Sequence, residues 1–322
     1  MMMKTLNEIA VELQSLSSVL IFCHIHPDGD TLGSAVALKR ALLKLGKACD
    51  IVCDDEIPEK YAYIPDFLSI LKPNQVGRVY EGHVAVDVAT EGLLGLAWSI
   101  YNSSKKRICI DHHRSNEQYA PITHVRESAS TTVLIYNLIK LMQVDIDEYM
   151  AKSILLGIIT DTGNFNHSNT DSEVLKIAAE VVLLGASVNE TVKILYKSQS
   201  KNQVKLYTDV MSGMRFYLQD RLAIITVFQS DLQKYSLKAD VTEGWVDDLP
   251  MAVAKVEVGV SLLQTKNNLY RVSIRSRGKV NAIDVAGEFG GGGHRLASGC
   301  VISGSYEEVL EKIIRAVDIN LY

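Results

Sequence analysis

Residues 19–30 read VLIFCHIHPDGD, a short apolar run that stops at a histidine and ends in two aspartates. The apolar run is too short for a membrane span or a signal segment, and it predicts a buried strand. Pro27 and Gly29 predict a tight bend that can point Asp28 and Asp30 to the same side of the chain. A strand, a polar turn and then a helix predict an α/β fold with its chemistry at the turn.

The same alternation of strand and helix patterns continues through the first half of the chain. A helical pattern covers Asp30–Leu45, and Gly46 suits the position after a helix end. Strands separated by helices predict a parallel sheet with helices on both faces, and ligands bind such sheets at the carboxyl ends of the strands. Further predicted strands are Ala48–Cys53, Val84–Ala89 and Arg107–Ile110, and further predicted helices are Thr131–Met142, Glu148–Ile159 and Glu173–Leu184.

The pattern changes after residue 188, which predicts a second domain. Residues 1–188 form the predicted first domain, and the polar segment 189–210 is a predicted connecting helix or linker. Residues 211–322 predict a smaller α/β domain, and we expect the active cleft to lie between the two domains. Its predicted strands are Leu222–Phe228, Val253–Leu263 and Leu269–Ile274, followed by a glycine-rich loop and a helix over Tyr306–Val317.

The composition fits a globular protein and excludes several classes of function. The 322 residues suit two domains at roughly 100–200 residues each, and 33 Lys and Arg against 38 Asp and Glu give a net charge of −5. A net-acidic protein is a poor ligand for long duplex nucleic acid, because nonspecific affinity comes from neutralising phosphates. The 5 cysteines are an odd number, so we expect buried free thiols, a cytoplasmic location and no membrane association.

Three more apolar segments end in acidic residues or histidines. Asp87 lies within the apolar run VAVDVA, where an unpaired buried carboxylate is costly. Asp111, His112 and His113 follow the fourth predicted strand. Adjacent residues at a strand end face opposite ways, so the two histidines should not bind one ion in the same manner, and Asp111 would orient a ligand. Asp161 follows the apolar stretch LLGII.

Each of these acidic residues also has a structural explanation when taken alone. Asp30 could cap a helix, Asp28 and Asp161 could be turn residues, and Asp87 could be a hydrogen-bonded core residue. Together they would place enough like charge in one cleft to repel strongly, and divalent cations would relieve this repulsion. Imidazole and carboxylate ligands suit manganese, iron or zinc, and two ions ~3.5–4 Å apart would use the whole set. The candidate ligands are His24, Asp28, Asp30, Asp87, His112 and Asp161.

A basic segment in the second half predicts an anion-binding site. The stretch 271–279, RVSIRSRGK, holds four cations and no acid, and GGGGHR follows at residues 290–295. Glycines expose backbone N–H groups and allow a phosphate to approach closely. A charged edge strand followed by a plain loop is the alternative explanation. The candidate substrate-binding residues are Arg275, Ser276, Gly291, Gly292, Gly293, His294 and Arg295.

The polar segments resemble a known family of enzymes. HIHPDGDTLGSA, VAVDVA, IDHH and GIITDTGNF resemble, in this order, the four motifs of the DHH family of phosphoesterases. GGGGHRLASG resembles the motif of that family's second, DHH-associated domain. The resemblance covers nearly the whole chain and is greatest to the NrnA-like group. Enzymes of that group degrade very short oligonucleotides and remove phosphate from 3′-phosphoadenosine-5′-phosphate (pAp).

The resemblance implies roles for individual residues. His24, Asp28 and Asp87 would hold one metal ion, and Asp87 would bridge to a second ion held by Asp30, His112 and Asp161. The catalytic residues would be His113, Asp111 and Asp87, with His113 contacting the scissile phosphate. The expected cofactor is a pair of divalent ions, usually manganese in this family. The fourth motif departs from the family at Thr160 and Asn164, where a smaller and a basic residue are expected.

The expected function is that of a two-metal phosphodiesterase, a phosphoric ester hydrolase. It would cut short RNA and linear dinucleotides such as pApA and pGpG to mononucleotides, with pAp and cyclic di-AMP as further candidate substrates. Two alternatives remain open. One is a pyrophosphatase or polyphosphatase that uses the same metal chemistry, and the other is a non-catalytic nucleotide-binding regulator. The sequence leaves open the direction of digestion and the oligomeric state, for which a homodimer is one option.

Overall fold

A computed structural model describes residues 2–242 and 244–321 of the chain. The chain divides into two compact units between Ser198 and Gln199, which lie inside the segment predicted as the linker. Each unit contains its own six-stranded sheet and its own buried apolar core. None of the helices within the described residues is both long enough and apolar enough to cross a membrane.

The sheet of the first unit is parallel throughout, as predicted. The strand order is β1-β6-β5-β4-β2-β3, so β4 lies between β2 and β5. The carboxyl ends of these three neighbouring strands therefore meet at one edge of the sheet, and the polar segments follow them. The strands are β1 (Met2–Met3), β2 (Ser18–Phe22), β3 (Ala48–Val52), β4 (Gly82–Val86), β5 (Lys106–Asp111) and β6 (Ile122–Val125).

Both faces of this sheet are buried. Along β2, Val19 and Ile21 belong to the core on one face, whereas Leu20 and Phe22 belong to the core on the other. A strand buried on both faces reads as a continuous apolar run, which is why β2 was recognisable in the sequence. The helices of this unit are α1 (Leu6–Ser15), α2 (Gly29–Lys44), α3 (Trp98–Ser103), α4 (Thr131–Leu141), α5 (Glu148–Asp161), α6 (Ser172–Leu183) and α7 (Val188–Tyr196).

Helices α2 and α5 approach each other closely at glycine positions. A Cβ atom at Gly33 would lie 2.3 Å from the carbonyl oxygen of Ser153 in α5. A Cβ atom at Gly157 would lie 2.4 Å from the methyl carbon of Thr132 in α4 and 2.8 Å from Oδ1 of Asp30. The absence of side chains at these two positions lets three helices meet beside the carboxyl ends of the strands.

The second unit contains a mixed sheet with the order β11-β12-β10-β9-β8-β7. Only β8 and β9 pair in parallel, and the other neighbours are antiparallel. Helices α11 and α12 pack on one face of this sheet, as expected for a second α/β domain. The elements are α8 (Lys201–Ser212), β7 (Arg215–Tyr217), β8 (Leu222–Val227), α9 (Gln229–Tyr235), α10 (Trp245–Asp248), β9 (Val258–Lys266), β10 (Leu269–Ser276), α11 (Ala282–Gly287), β11 (Gly292–His294), β12 (Ala297–Ser303) and α12 (Tyr306–Leu321).

The structure differs from the sequence expectation in two places in this unit. The predicted strand Val253–Leu263 begins only at Val258, because the preceding carbonyl groups turn to accept hydrogen bonds from the guanidinium of Arg277. The glycine-rich segment is not purely a loop, since Gly292–His294 pairs with β12 as an edge strand.

Candidate metal centre

The predicted ligands converge at the carboxyl edge of the first sheet. His24 lies two residues after β2, and Asp87 directly follows β4. Asp87 has a φ angle of 60°, which is uncommon for a residue other than glycine, and its side chain is only 3% exposed. A carboxylate held in a costly backbone conformation is typical of a functional position.

His24, Asp28 and Asp87 form one potential ligand group. The Nε2 atom of His24 lies 3.6 Å from Oδ1 of Asp28 and 3.5 Å from Oδ2 of Asp87. One ligand atom from each of the three residues lies within 4.8 Å of the other two. This spacing is compatible with three ligands around one ion.

Asp30, His112 and Asp161 form a second group with the same spacing. The Nε2 atom of His112 lies 3.4 Å from Oδ2 of Asp161 and 3.6 Å from Oδ1 of Asp87. Asp87 therefore presents one carboxylate oxygen to each group. This is the arrangement that a carboxylate bridging two ions requires.

Backbone carbonyl groups set the orientation of both imidazole rings. The Nδ1 atom of His24 lies 2.7 Å from the carbonyl oxygen of Ile25, and that of His112 lies 3.0 Å from the carbonyl oxygen of Ser128. A carbonyl oxygen only accepts, so each Nδ1 carries the proton. In the neutral ring the Nε2 lone pair then faces the carboxylates, as in metal-binding histidines generally.

The start of helix α4 holds two of the carboxylates. The backbone N–H groups of Thr131 and Thr132 donate to the two carboxylate oxygens of Asp30 at 2.6 Å and 2.8 Å. The hydroxyl of Thr131 also donates to Oδ1 of Asp87 at 3.0 Å. The N–H groups of a first helical turn have no partner within the helix, so they are suited to this task. Sequence reasoning predicted this helix but missed the role of Thr131 and Thr132.

Two of the carboxylates, those of Asp30 and Asp161, lie in surroundings that oppose their ionisation. Burial and then the charge of Asp87 raise the pKa of Asp30 to about 7. Burial and then the charges of Asp30, Asp28 and Asp87 raise the pKa of Asp161 well above its usual range. Divalent cations would remove this repulsion, and the imidazole and carboxylate donors suit manganese, iron or zinc. The residues present therefore fit a metal centre.

Asp111 contacts the ring of His113 and belongs to none of the three potential ligand groups found among the described residues. Its Oδ1 atom accepts from the Nδ1 atom of His113 at 2.8 Å, and its Oδ2 atom accepts from the amide of Asn116 at 2.6 Å. Burial lowers the pKa of His113, but the hydrogen bond to Asp111 and the charge of Asp87 outweigh burial and raise that pKa to about 9. Asp111 thus contacts the ring of His113 and not the ring of any of the six predicted ligands. His113 also forms a third group with Asp87 and His112.

The two departures from the family pattern have different surroundings. Thr160 lies in α5, where a Cβ atom at Gly29 would approach its methyl carbon to 2.5 Å. Its hydroxyl donates to carbonyl groups of its own helix. Asn164 is exposed, has a φ angle of 58° and donates its backbone N–H to the carbonyl oxygen of Ile159.

The predicted substrate-binding residues of the second unit differ in how accessible their polar groups are. Arg275 forms an ion pair with Asp247, with Nε lying 2.9 Å and 3.1 Å from the two carboxylate oxygens. The hydroxyl of Ser276 is buried and donates to the carbonyl oxygen of Val280 at 2.6 Å. Arg295 is exposed and donates to the carbonyl oxygen of Gly278, and His294 is exposed at the end of β11.

Backbone packing explains two of the three predicted glycines. A Cβ atom at Gly291 would lie 2.2 Å from the carbonyl oxygen of Gly299, and one at Gly293 would lie 2.6 Å from that of Ala297. Gly293 also has a φ angle of 142°. Gly292 has no heavy atom within 4 Å of such a position. The glycine run therefore lets β11 pair closely with β12 and leaves open backbone at Gly292.

Comparison with known proteins identifies both units. The model of the DHH family N-terminal domain matches residues 18–158, and that of the DHHA1 domain matches residues 224–321. The chain is 31% identical to the bifunctional oligoribonuclease and PAP phosphatase NrnA of Thermus thermophilus, over 92% of this chain and 89% of that protein. It is 26% identical to the Bacillus subtilis protein of the same name, over 93% of each chain. A crystal structure of an exopolyphosphatase-related protein from Bacteroides fragilis superposes with a TM-score of 0.90 at 25% identity, covering 98% of this chain and 95% of that one.

Proposed function

The chain belongs to the DHH family of phosphoesterases, and on this premise we propose that it is a two-metal phosphodiesterase that cuts short RNA and linear dinucleotides to mononucleotides. Removal of phosphate from pAp is part of the proposal, because relatives similar over nearly their whole length carry the name PAP phosphatase. The free state of all five buried cysteines fits the reducing conditions of the cytoplasm, where we propose that the protein acts.

The position of Asp87 is the single observation that carries this proposal. Its two carboxylate oxygens face two separate ligand groups, and each group contains an imidazole whose Nε2 atom points at the carboxylates. We assign one ion to His24, Asp28 and Asp87, and the second to Asp30, Asp87, His112 and Asp161, with manganese as the proposed metal. When bound, such a pair of ions supplies the positive charge needed for in-line displacement at phosphorus.

The residues around this centre bind and orient the substrate. The Nδ1 atom of His113 donates to Asp111, and we propose that the ring of His113 contacts the scissile phosphoryl group and stabilises the charge that develops there. Asp111 is buried and receives four hydrogen bonds, so it fixes the ring plane of His113. We propose that the second unit binds nucleotides through Arg275, Gly292, His294 and Arg295, with Ser276, Gly291 and Gly293 shaping the backbone around them.

A substrate panel tests this proposal. Purified protein with added manganese is incubated with RNA of two to five nucleotides, pApA, pGpG, pAp, cyclic di-AMP, pyrophosphate and polyphosphate, and the products are separated by chromatography. We expect mononucleotides from the short RNA and the linear dinucleotides, and we expect a chelator to abolish their release.

The same panel discriminates between the alternatives. Faster hydrolysis of pyrophosphate or polyphosphate than of pApA would show that the protein is a pyrophosphatase or polyphosphatase. The panel includes these two substrates because the chain is similar to an exopolyphosphatase-related protein. Nucleotide binding without turnover of any substrate would make the protein a binding module.

A further inference from the structure

Different kinds of contact hold the two ligand groups of the metal centre in place. In the first group, the Nδ1 atom of His24 donates to the carbonyl oxygen of the next residue, and the carboxylate of Asp28 caps the start of the helix that follows, α2. In the second group, the Nδ1 atom of His112 donates to the carbonyl oxygen of Ser128, which lies 16 positions further along the chain. The second group therefore depends on how a distant segment is held.

Asn169 joins that distant segment to the end of α5. Its Nδ2 atom donates to the carbonyl oxygen of Ala129 at 3.0 Å and to that of Asp161 at 3.1 Å. Ala129 directly follows Ser128, and Asp161 is both the last residue of α5 and a candidate ligand of the second group. One amide group thus contacts the backbone beside the support of His112 and the backbone of Asp161 itself.

The amide of Asn169 serves these two carbonyl groups and no other group in the described part of the chain. A carbonyl oxygen only accepts, so the Nδ2 atom must face both of them. The Oδ1 atom is buried and has no hydrogen-bond partner among the described residues. A buried acceptor without a partner is unfavourable, so an amide kept in this place indicates that its two donors are required. The carbonyl of Asp161 needs such a donor, because the last carbonyl groups of a helix have no partner within it.

The backbone between Asp161 and Asn169 follows an unusual turn. The successive residues 163–165 have φ angles of 53°, 58° and 63°, so all three lie in the left-handed region. This region is costly for residues other than glycine, and Phe165 packs against the core of the first unit. The turn brings Asn169 back to the carbonyl of Asp161, which the Nδ1 atom of His167 also approaches, at 3.3 Å.

We propose that Asn169 is a positioning residue for the second ligand group. Its amide fixes Asp161 relative to the segment that orients His112, and neither of its hydrogen bonds reaches His24 or Asp28. Loss of the amide should therefore weaken the ion of the second group and leave the ion of the first group in place. The assignment of one ion to each group rests on the proposed function, whereas the contacts of Asn169 do not.

Manganese titration of the full-length protein without substrate tests this role, with the unbound ion measured by electron paramagnetic resonance. The wild-type protein should bind two ions. Asn169→Ala should bind one ion with the wild-type affinity and the other about 10–100-fold more weakly, the usual effect of removing a residue that supports a metal ligand. Binding of the first ion also shows that the variant is folded. Asn169→Gln keeps the amide on a longer side chain and should fall between the two; it carries the test where Asn169→Ala does not fold.

A double substitution identifies which ion is affected. Adding Asn169→Ala to Asp161→Asn should cost little further affinity, because both changes act on the second group. Adding Asn169→Ala to Asp28→Asn should weaken both ions. Asn137→Ala is the matched control and should bind both ions as the wild type does. It removes another amide hydrogen bond of the first unit, from Asn137 to Oε1 of Glu173 at 2.9 Å, which supports no candidate ligand.

The outcomes separate this inference from the proposed function. Wild-type affinity of Asn169→Ala for both ions would overturn the role of Asn169 and leave the two-ion centre intact. Equal weakening of both ions, or the same loss in Asn137→Ala, would make Asn169 a general stabiliser of the fold and would overturn its role as well. A wild-type protein that binds fewer than two ions would instead refute the two-ion assignment, and the inference with it.

Discussion

At the scale of single residues, Asp87 determines whether the two ligand groups act as one centre. Its left-handed backbone places the carboxylate between His24 and His112, and the hydroxyl of Thr131 holds one of its oxygens. A neutral amide in the same place keeps the shape and the hydrogen bond but loses the negative charge that would attract two cations. A substitution at this residue can therefore remove the negative charge while the fold stays the same.

Asp87→Asn should lower kcat by at least about 100-fold and reduce the number of manganese ions bound, because one side chain serves both groups. Calorimetric titration with manganese and steady-state kinetics on pApA measure the two effects. Asp145→Asn, which changes an exposed acid of the same unit, should alter neither. Full turnover by Asp87→Asn would show that the bridging assignment is wrong.

Asn116 is a positioning residue that links two of the polar segments. Its amide donates to Oδ2 of Asp111 at 2.6 Å and to the carbonyl oxygen of Val88 at 3.1 Å. Asn116→Ala should lower kcat on pApA about 10–100-fold with little change in KM, because Asp111 would no longer fix the ring of His113. Tyr119→Phe removes another hydrogen bond to the same carbonyl of Val88 without touching Asp111, and it should have a much smaller effect.

A double substitution tests whether Asn116 acts through His113. If it does, adding Asn116→Ala to His113→Ala should cost little further activity. If the losses of kcat add in the double variant, Asn116 instead stabilises the fold. If Tyr119→Phe loses as much activity as Asn116→Ala, the shared hydrogen bond to the carbonyl oxygen of Val88 accounts for the effect.

The grouping of the candidate ligands could be predicted from the sequence, whereas their supporting contacts could not. His24, Asp87, His112 and Asp161 each follow an apolar run, and a local pattern suffices to find them. Thr131 contacts Asp87 across 44 positions of sequence, and its N–H reaches Asp30 across 101. A local sequence pattern cannot predict a contact between residues so far apart in the chain, because that contact depends on how the helices pack in three dimensions.

At the scale of elements, the crossing of α2 and α5 sets the distance between the start of α2 and the end of α5, each of which carries a candidate ligand. Asp30 lies in the first turn of α2, and Asp161 is the last residue of α5. Gly33 lets α2 approach the backbone of α5, and Gly157 leaves room for the side chain of Asp30, so that the carboxylates of Asp30 and Asp161 both lie near His112. A side chain at the crossing would push these ends apart.

Gly33→Ala should reduce the free energy of unfolding by about 1–3 kcal/mol, because the new methyl group would collide with the backbone oxygen of Ser153. It should also weaken manganese binding. Urea denaturation and metal titration measure the two effects. Gly287→Ala in α11 has open space around the added methyl group and should not destabilise the protein. A Gly33→Ala protein as stable as the wild type would contradict this account of the crossing.

The glycine-rich segment forms an edge strand where the sequence predicted a loop. Four consecutive glycines are typical of a loop, yet the register places Gly292–His294 beside β12. The pairing depends on the close approach of Gly291 to Gly299 and of Gly293 to Ala297, which lie on the other strand. The apolar alternation of β10 was recognisable because its inward face packs against α11 and α12.

At the scale of the whole molecule, the metal centre is a source of instability when it holds no metal. The folded chain brings Asp28, Asp30, Asp87 and Asp161 together, and burial with mutual repulsion raises the pKa of Asp30 and of Asp161. The unfolded chain separates these charges and is not affected. Cations that bind only the folded protein should stabilise it, by about 2.7 kcal/mol at a hundredfold excess over Kd.

This balance predicts opposite effects of one substitution with and without metal. Without metal, Asp161→Asn should raise the Tm above that of the wild type, because it removes a carboxylate whose ionised form the folded state disfavours. With saturating manganese the wild type should gain roughly 5–10 °C, whereas the variant should gain much less, since one ligand group is incomplete. Differential scanning fluorimetry with chelator and with manganese measures all four values, and Asp145→Asn serves as the control. A lower Tm of Asp161→Asn in chelator would show that the carboxylates do not repel one another as described, because the stability of the metal-free chain would then depend on this charge.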